Sequence, residues 1–179
     1  IGNGVFPNPS NQLQVFAGTN MTTVVRPGKG WINGYFLFNE GDFTLTHDVA
    51  DGVLKRIDRV VMRLDYAERV IDIRVKKGAF ASNPVAPALQ RDAEAYELAL
   101  ADVSINNGST QITQANITDT RPNSQLCGFV TGVVQQVDTT TLFNQYSDAF
   151  QQQSVNNQQA FQDWFDNLQV ILDGDVAGN

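Results

Sequence analysis

Arg56-Ile57-Asp58-Arg59-Val60-Val61-Met62-Arg63-Leu64-Asp65, the link Tyr66-Ala67-Glu68-Arg69, and Val70-Ile71-Asp72-Ile73-Arg74-Val75-Lys76-Lys77 form the stretch whose reading decides the fold. Ile57, Arg59, Val61, Arg63 and Asp65 fall on one face of an alternating run, and Asp58, Val60, Met62 and Leu64 on the other. In the second run Ile71, Ile73 and Val75 oppose Asp72, Arg74 and Lys76, the apolar-in, polar-out pattern of a half-buried antiparallel strand. Two such runs around the short polar link Asp65 to Arg69 predict a β-hairpin. Charges on both faces of the first run predict ion pairs at the strand ends.

Working outward, Trp31 to Asn39 is aromatic and β-branched enough to be a strand, with Arg26-Pro27-Gly28-Lys29-Gly30 before it read as a turn. Phe43-Thr44-Leu45-Thr46 alternates after Glu40-Gly41-Asp42, which predicts a hairpin with the preceding strand. Residues 1 to 23 are rich in Gly, Asn, Pro and Ser around Leu13, Val15 and Ala17, and read as an arm with one weak strand that needs a neighbour for order. Downstream, Ala79 to Pro87 is a proline-bearing loop. Ala93 to Ala101 has helix-forming residues, but Tyr96, Leu98 and Leu100 alternate, and the choice is a strand continuing through Val103 and Ile105. Asn106-Asn107-Gly108-Ser109 turns the chain, and Cys127 to Val137 reads as a last strand.

From Asp138 the composition shifts to Gln, Asn and aromatics, with no Gly or Pro before Gly174. Leu142, Phe143, Tyr146, Phe150, then Phe161, Trp164, Phe165, Leu168, Ile171 and Leu172 recur at spacings of three and four, the signature of an amphipathic helix. Between Gln151 and Gln159 the apolar stripe thins to Val155, which leaves open a kink or a break into two segments. A helix of about 30 residues is ~45 Å long, more than a compact β-domain covers, so the stripe predicts an oligomer seam. The expected architecture is mainly β: an arm (1–23), an antiparallel β-sandwich (24–137), and a helical oligomerisation segment (138–179).

Composition narrows the function. Net charge is −7, which opposes nucleic-acid binding. One cysteine, Cys127, rules out an internal disulfide, and one histidine, His47, rules out the common His-rich metal sites. No apolar run approaches the ~18 residues that cross a bilayer, and no signal peptide is visible. Beginning at Ile1 and ending without a stop or cap after Gly174, the chain is expected to be a piece of a longer polypeptide.

Several strings carry a resemblance: Arg26-Pro27-Gly28-Lys29-Gly30-Trp31-Ile32-Asn33-Gly34-Tyr35; Arg56 to Asp65; Lys77-Gly78 with Ala81-Ser82-Asn83-Pro84; Tyr96-Glu97-Leu98 to Leu100-Ala101; Ile112-Thr113 to Asp119-Thr120-Arg121; and Cys127-Gly128. In this order, over roughly Val24 to Leu172, they resemble the N-terminal domain of baseplate proteins from tailed phages and prophages of Gram-positive bacteria. The resemblance implies a β-sandwich shoulder domain that anchors receptor-binding proteins, helical or fibrous segments after it, a homotrimer, other tail or baseplate proteins as partners, and a place in the virion after assembly in the host cytoplasm. None of the strings is catalytic.

Against that, Gly28-Lys29-Gly30 lacks the spacing and the following helix of a phosphate loop. Carboxylate pairs such as Asp58 with Asp65 or Glu94 with Glu97 could suit a glycosidase, but any acidic chain offers them. Asp58, Arg59, Arg63 and Asp65, and Asp119 with Arg121, are read as structural ion pairs between strands or subunits. His47 reads as a surface or satisfied histidine, Cys127 as a small buried side chain, and Asp173-Gly174-Asp175 as a solvated helix end rather than a calcium loop. No enzyme activity, cofactor, metal or membrane insertion is expected. The alternative is a module binding host cell-wall saccharide through Trp31, Tyr35 or Tyr96.

Overall fold

The computed structural model describes residues 2–131 and 139–176, with the side chains of 139–146, 150 and 171–176 outside that description. The chain divides into two compact units, Ile1–Gly132 and Val133–Asn179.

The first unit is an antiparallel β-sandwich built from three sheets. Its centre is the hairpin expected from the sequence: β7 (Arg56–Asp65) pairs β8 (Val70–Lys76) with Arg59 opposite Lys76 and Asp65 opposite Val70. On the other side of β7 lies β9 (Ala95–Ile105), the segment with mixed helix and strand signals, and β10 (Ile117–Asp119) completes the order β10-β9-β7-β8. Alternation prevails over helix propensity in β9 because Leu98, Leu100 and Ile105 are buried with Val60, Met62 and Leu64 of β7. Full burial of such a side chain contributes roughly 2 kcal/mol, against a few tenths for propensity. A β-bulge interrupts the β7–β9 register between Val60 and Val61.

The other two sheets are β1 (Gly4–Val5), β4 (Gly28–Ile32) and β5 (Tyr35–Asn39), in the order β1-β4-β5, and β2 (Val15–Ala17), β3 (Thr22–Val25) and β6 (Phe43–Thr46), in the order β2-β3-β6. Four expectations change here. Gly28-Lys29-Gly30 is strand, not turn: a Cβ on Gly30 would strike the Met62 sulfur, and one on Gly28 would meet the backbone of Gln12 and Leu13. The turn sits instead at Asn33-Gly34, where both φ angles are positive (46° and 94°), splitting the expected strand in two. β6 pairs with β3 and not with β5, so Glu40-Gly41-Asp42 carries the chain between sheets. Residues 1–23 are integral to the first unit: β1 pairs β4, and Val5, Leu13 and Val15 are buried.

Of the strand expected over Cys127 to Val137, the described part holds one bridge, parallel, from Phe129 to Val5, and 132–137 lie outside the described residues. The second unit contains α1 (Thr139–Val176), one uninterrupted helix without the break left open by its thin apolar middle. At 1.5 Å per residue it is about 57 Å long.

Candidate functional site

Three arrangements gather the residues that could carry function. The first is a buried polar knot at the start of β7. Asp58 accepts from Arg56 Nε (2.8 Å) and from the Gly78 amide (3.0 Å), and sits 2.8 Å from His47 Nδ1. His47 Nε2 lies 3.0 Å from Thr23 Oγ1, and Arg56 also donates to the Val49 carbonyl (2.8 Å). Burial pushes the Asp58 carboxyl up, but the hydrogen bonds from His47, Arg56 and Gly78 outweigh it and hold its pKa below the ordinary 3.8. Carboxylate, imidazole and hydroxyl in a line resemble a nucleophile relay. Thr23 is fully buried, however, so no substrate reaches its oxygen, and the knot serves to satisfy polar groups inside the core.

The expected ion-pair residues separate into different partnerships. Arg59 grips Asp102 with two prongs (2.7 and 2.9 Å) and donates to the Pro87 carbonyl (2.9 Å). Arg63 (2.8 Å) and Lys76 (2.7 Å) share Glu97, which also accepts from the Gln90 amide, and Asp65 stands 3.6 Å from Arg63. Arg63 and Glu97 lie inside β7 and β9 while Asp65 and Lys76 end β7 and β8, so strand-end pairs occur beside mid-strand ones, and the bonds to Pro87 and Gln90 pin the 79–92 loop across the central sheet. Burial raises the Glu97 pKa, yet the Gln90 amide, Lys76 and Arg63 bring it below 4.5. Arg121 chelates Asp119 (2.9 and 2.7 Å) and donates to the carbonyls of Ser10 and Gln12, clamping the N-terminal segment. Asp102 and Glu97 were missed as partners because nothing in local spacing points to them, whereas Arg56 stands only two residues before Asp58. Cys127 is buried, which pushes its thiol up to about 12 and makes it inert near neutral pH.

The second arrangement is an aromatic sheet face. In β4 and β5, Trp31 stands opposite Phe36 and Lys29 opposite Phe38, so these four share the face turned away from Met62. Phe6 meets Phe36 edge-on at 5.9 Å, and the Lys29 ammonium lies 5.4 Å from the Phe38 ring centre. Phe38 is 55% exposed. Of the aromatics named for saccharide binding, Trp31 lies on this face, Tyr35 on the opposite parity of the hairpin, and Tyr96 on β9 beneath Arg91.

The third is the helix stripe. Phe161, Trp164, Phe165 and Leu168 line one side of α1, with Phe161 62% exposed and its ring 5.7 Å from Trp164. The side chains of Leu142, Phe143, Tyr146, Phe150, Ile171 and Leu172, expected on the same seam, lie outside the described residues.

No family model, no curated protein and no solved structure matches this chain. Among the described residues no cluster of three or more metal-ligating side chains occurs, and no helix is long and apolar enough to cross a membrane.

Proposed function

We propose that this chain is a structural component of a phage tail baseplate: a β-domain that docks on neighbouring tail proteins, and a helix that brings copies of the chain together near the host-attachment apparatus. In this reading it is not an enzyme, and its chemistry is burial and shape complementarity. The observation that carries the proposal is the unpartnered stripe of Phe161, Trp164, Phe165 and Leu168 on a helix that forms a unit of its own. Four large apolar side chains in water on one face are the mark of an association surface. The ordered strings from Arg26 to Gly128 support the baseplate assignment, and the face of Phe6, Trp31, Phe36 and Phe38 supplies a second apolar surface for a protein partner. The homotrimer is taken from the resemblance.

The test is the solution mass by light scattering of the chain and of a version ended before Asp138. The expected result is a trimer that falls to a monomer on truncation. A monomer in both cases would refute assembly through the helix and favour direct saccharide binding, which a host cell-wall pull-down would then examine.

A further inference from the structure

The order β10-β9-β7-β8 ends on β8, so the side of that strand turned away from β7 is a free sheet edge. An open edge presents unpaired backbone N–H and C=O groups and accepts any extended chain unless its side chains select one. The strand reads Val70-Ile71-Asp72-Ile73-Arg74-Val75-Lys76, with Ile71, Ile73 and Val75 on the inner face and Asp72 and Arg74 on the outer. Arg74 donates to Asp72 along the strand (2.9 and 2.7 Å), and their side chains remain 44% and 39% exposed. Among the described residues no other side chain bonds to either charge. Beside the edge an open groove of about 180 Å³ is lined by Leu37, Phe38, Phe43, Ile71 and Ile73, and the rings of Phe38 and Phe43 are half-exposed there.

We propose that β8 is a self-association edge: two copies of the chain pair β8 with β8, antiparallel, about a two-fold axis at Ile73. Turned about Ile73, the strand is complementary to itself. Asp72 of each copy faces Arg74 of the other, Ile71 faces Val75, and Val70 lies against the Lys76 stem. The neighbouring registers fail. A shift of two residues sets Asp72 against Asp72 or Arg74 against Arg74, and like charges directly opposite are destabilising. A shift of one residue turns the second copy's apolar face to the outer side of the sheet. An edge that receives a foreign strand has no need of this internal symmetry, whereas a second copy brings the matching charges by its own sequence. The contact is isologous, joins the two four-stranded sheets into one, and carries the inner apolar face across the axis. It goes beyond assembly through the helix: strand pairing doubles whatever mass the helix sets, and a three-fold combined with a two-fold closes as a dihedral assembly. A seam of one short strand falls below the ~1,200 Å² of a stable interface, so it is expected to fill only above roughly 100 μM.

Sedimentation of the full chain at rising concentration tests this. The wild-type mass is expected to double between about 10 μM and about 1 mM. Arg74→Asp alone and Asp72→Arg alone each set like charges opposite one another and are expected to weaken the doubling by roughly tenfold or more. An equal mixture of the two variants is expected to restore it, because every facing pair across the axis is then again of opposite sign. Both positions are exposed, so the variants keep the fold, which an unchanged melting temperature of the β-unit checks. In a second measurement, Asp72→Cys mixed with Arg74→Cys is expected to form the mixed disulfide under a mild oxidant. Either variant alone, its thiols on a diagonal with Cα atoms about 7–8 Å apart, is not, and the buried Cys127 does not compete. Charge variants that double as the wild type does, or a mixture that regains nothing, overturn the pairing. A wild-type mass that stays constant up to about 1 mM overturns it too and leaves the edge to a strand of another protein. None of these outcomes touches assembly through the helix, which is read from the mass below the doubling.

Discussion

Asp58 is 1% exposed and is nevertheless charged, because Arg56, His47 and the Gly78 amide all converge on it. Removing one member of such a buried set strands the others, so Asp58→Asn is expected to lower stability by about 3 kcal/mol at pH 7. The sign with pH follows from linkage. The folded pKa lies below the unfolded value of 3.8, so the carboxylate's contribution is complete above that value and is lost as pH falls through the folded pKa. Urea unfolding of wild type and variant at pH 7 and at about pH 3 should show the gap narrowing on acidification; a gap that holds constant would mean the charge contributes nothing. At this scale the sequence named the right residues and the local pair Asp119–Arg121, but not the partners that lie across strands. Asp58, Arg59, Arg63, Asp119 and Arg121 were recognisable as paired because charges inside alternating runs must be satisfied. That Arg59 finds Asp102 and Arg63 finds Glu97 depends on the β7–β9 register, which no local pattern encodes.

At the scale of elements, legibility followed locality. The β7–β8 hairpin was readable because its runs alternate about a short polar link, and β9, with its mixed signals, because the alternation of Tyr96, Leu98 and Leu100 outweighs helix propensity. The division of Trp31 to Asn39 was missed although Asn33-Gly34 is the strongest short hairpin signal, because the aromatic run around it masked the turn. The β3–β6 pairing joins residues about 20 positions apart, and the glycines of β4 follow from the side chains behind them, so neither is visible in a window. The turn itself allows a clean test. Gly34 has φ 94° and nothing within 4 Å of a Cβ, so Gly34→Val meets no clash and its cost is backbone strain alone. A loss of about 2 kcal/mol is expected. Gly41, equally open and without a positive φ, should accept valine within ~0.5 kcal/mol. Equal melting temperatures for the two variants would show that the tight turn is not the conformation that matters.

For the whole molecule, the two units differ in what stabilises them. The first has a continuous core running from Val5 to Cys127, which makes its unfolding a property of the single chain. In the second, side chains 151–170 are exposed along α1, and an isolated helix rich in Gln and Asn is marginal in water, because propensity alone barely offsets nucleation. If association supplies the missing stabilisation, mass action requires the helix to melt at a temperature that rises with protein concentration, while the β-unit does not respond. The two tryptophans separate these signals, since Trp31 belongs to the first unit and Trp164 to the second. In Trp31→Phe, the Trp164 fluorescence transition is expected to shift upward by several degrees over a hundredfold increase in concentration. In Trp164→Phe, provided the shortened stripe still folds, the Trp31 transition should stay in place. A Trp164 transition that does not move would mean the helix owes its stability to its own chain, and the aromatic stripe would then have no role in joining copies.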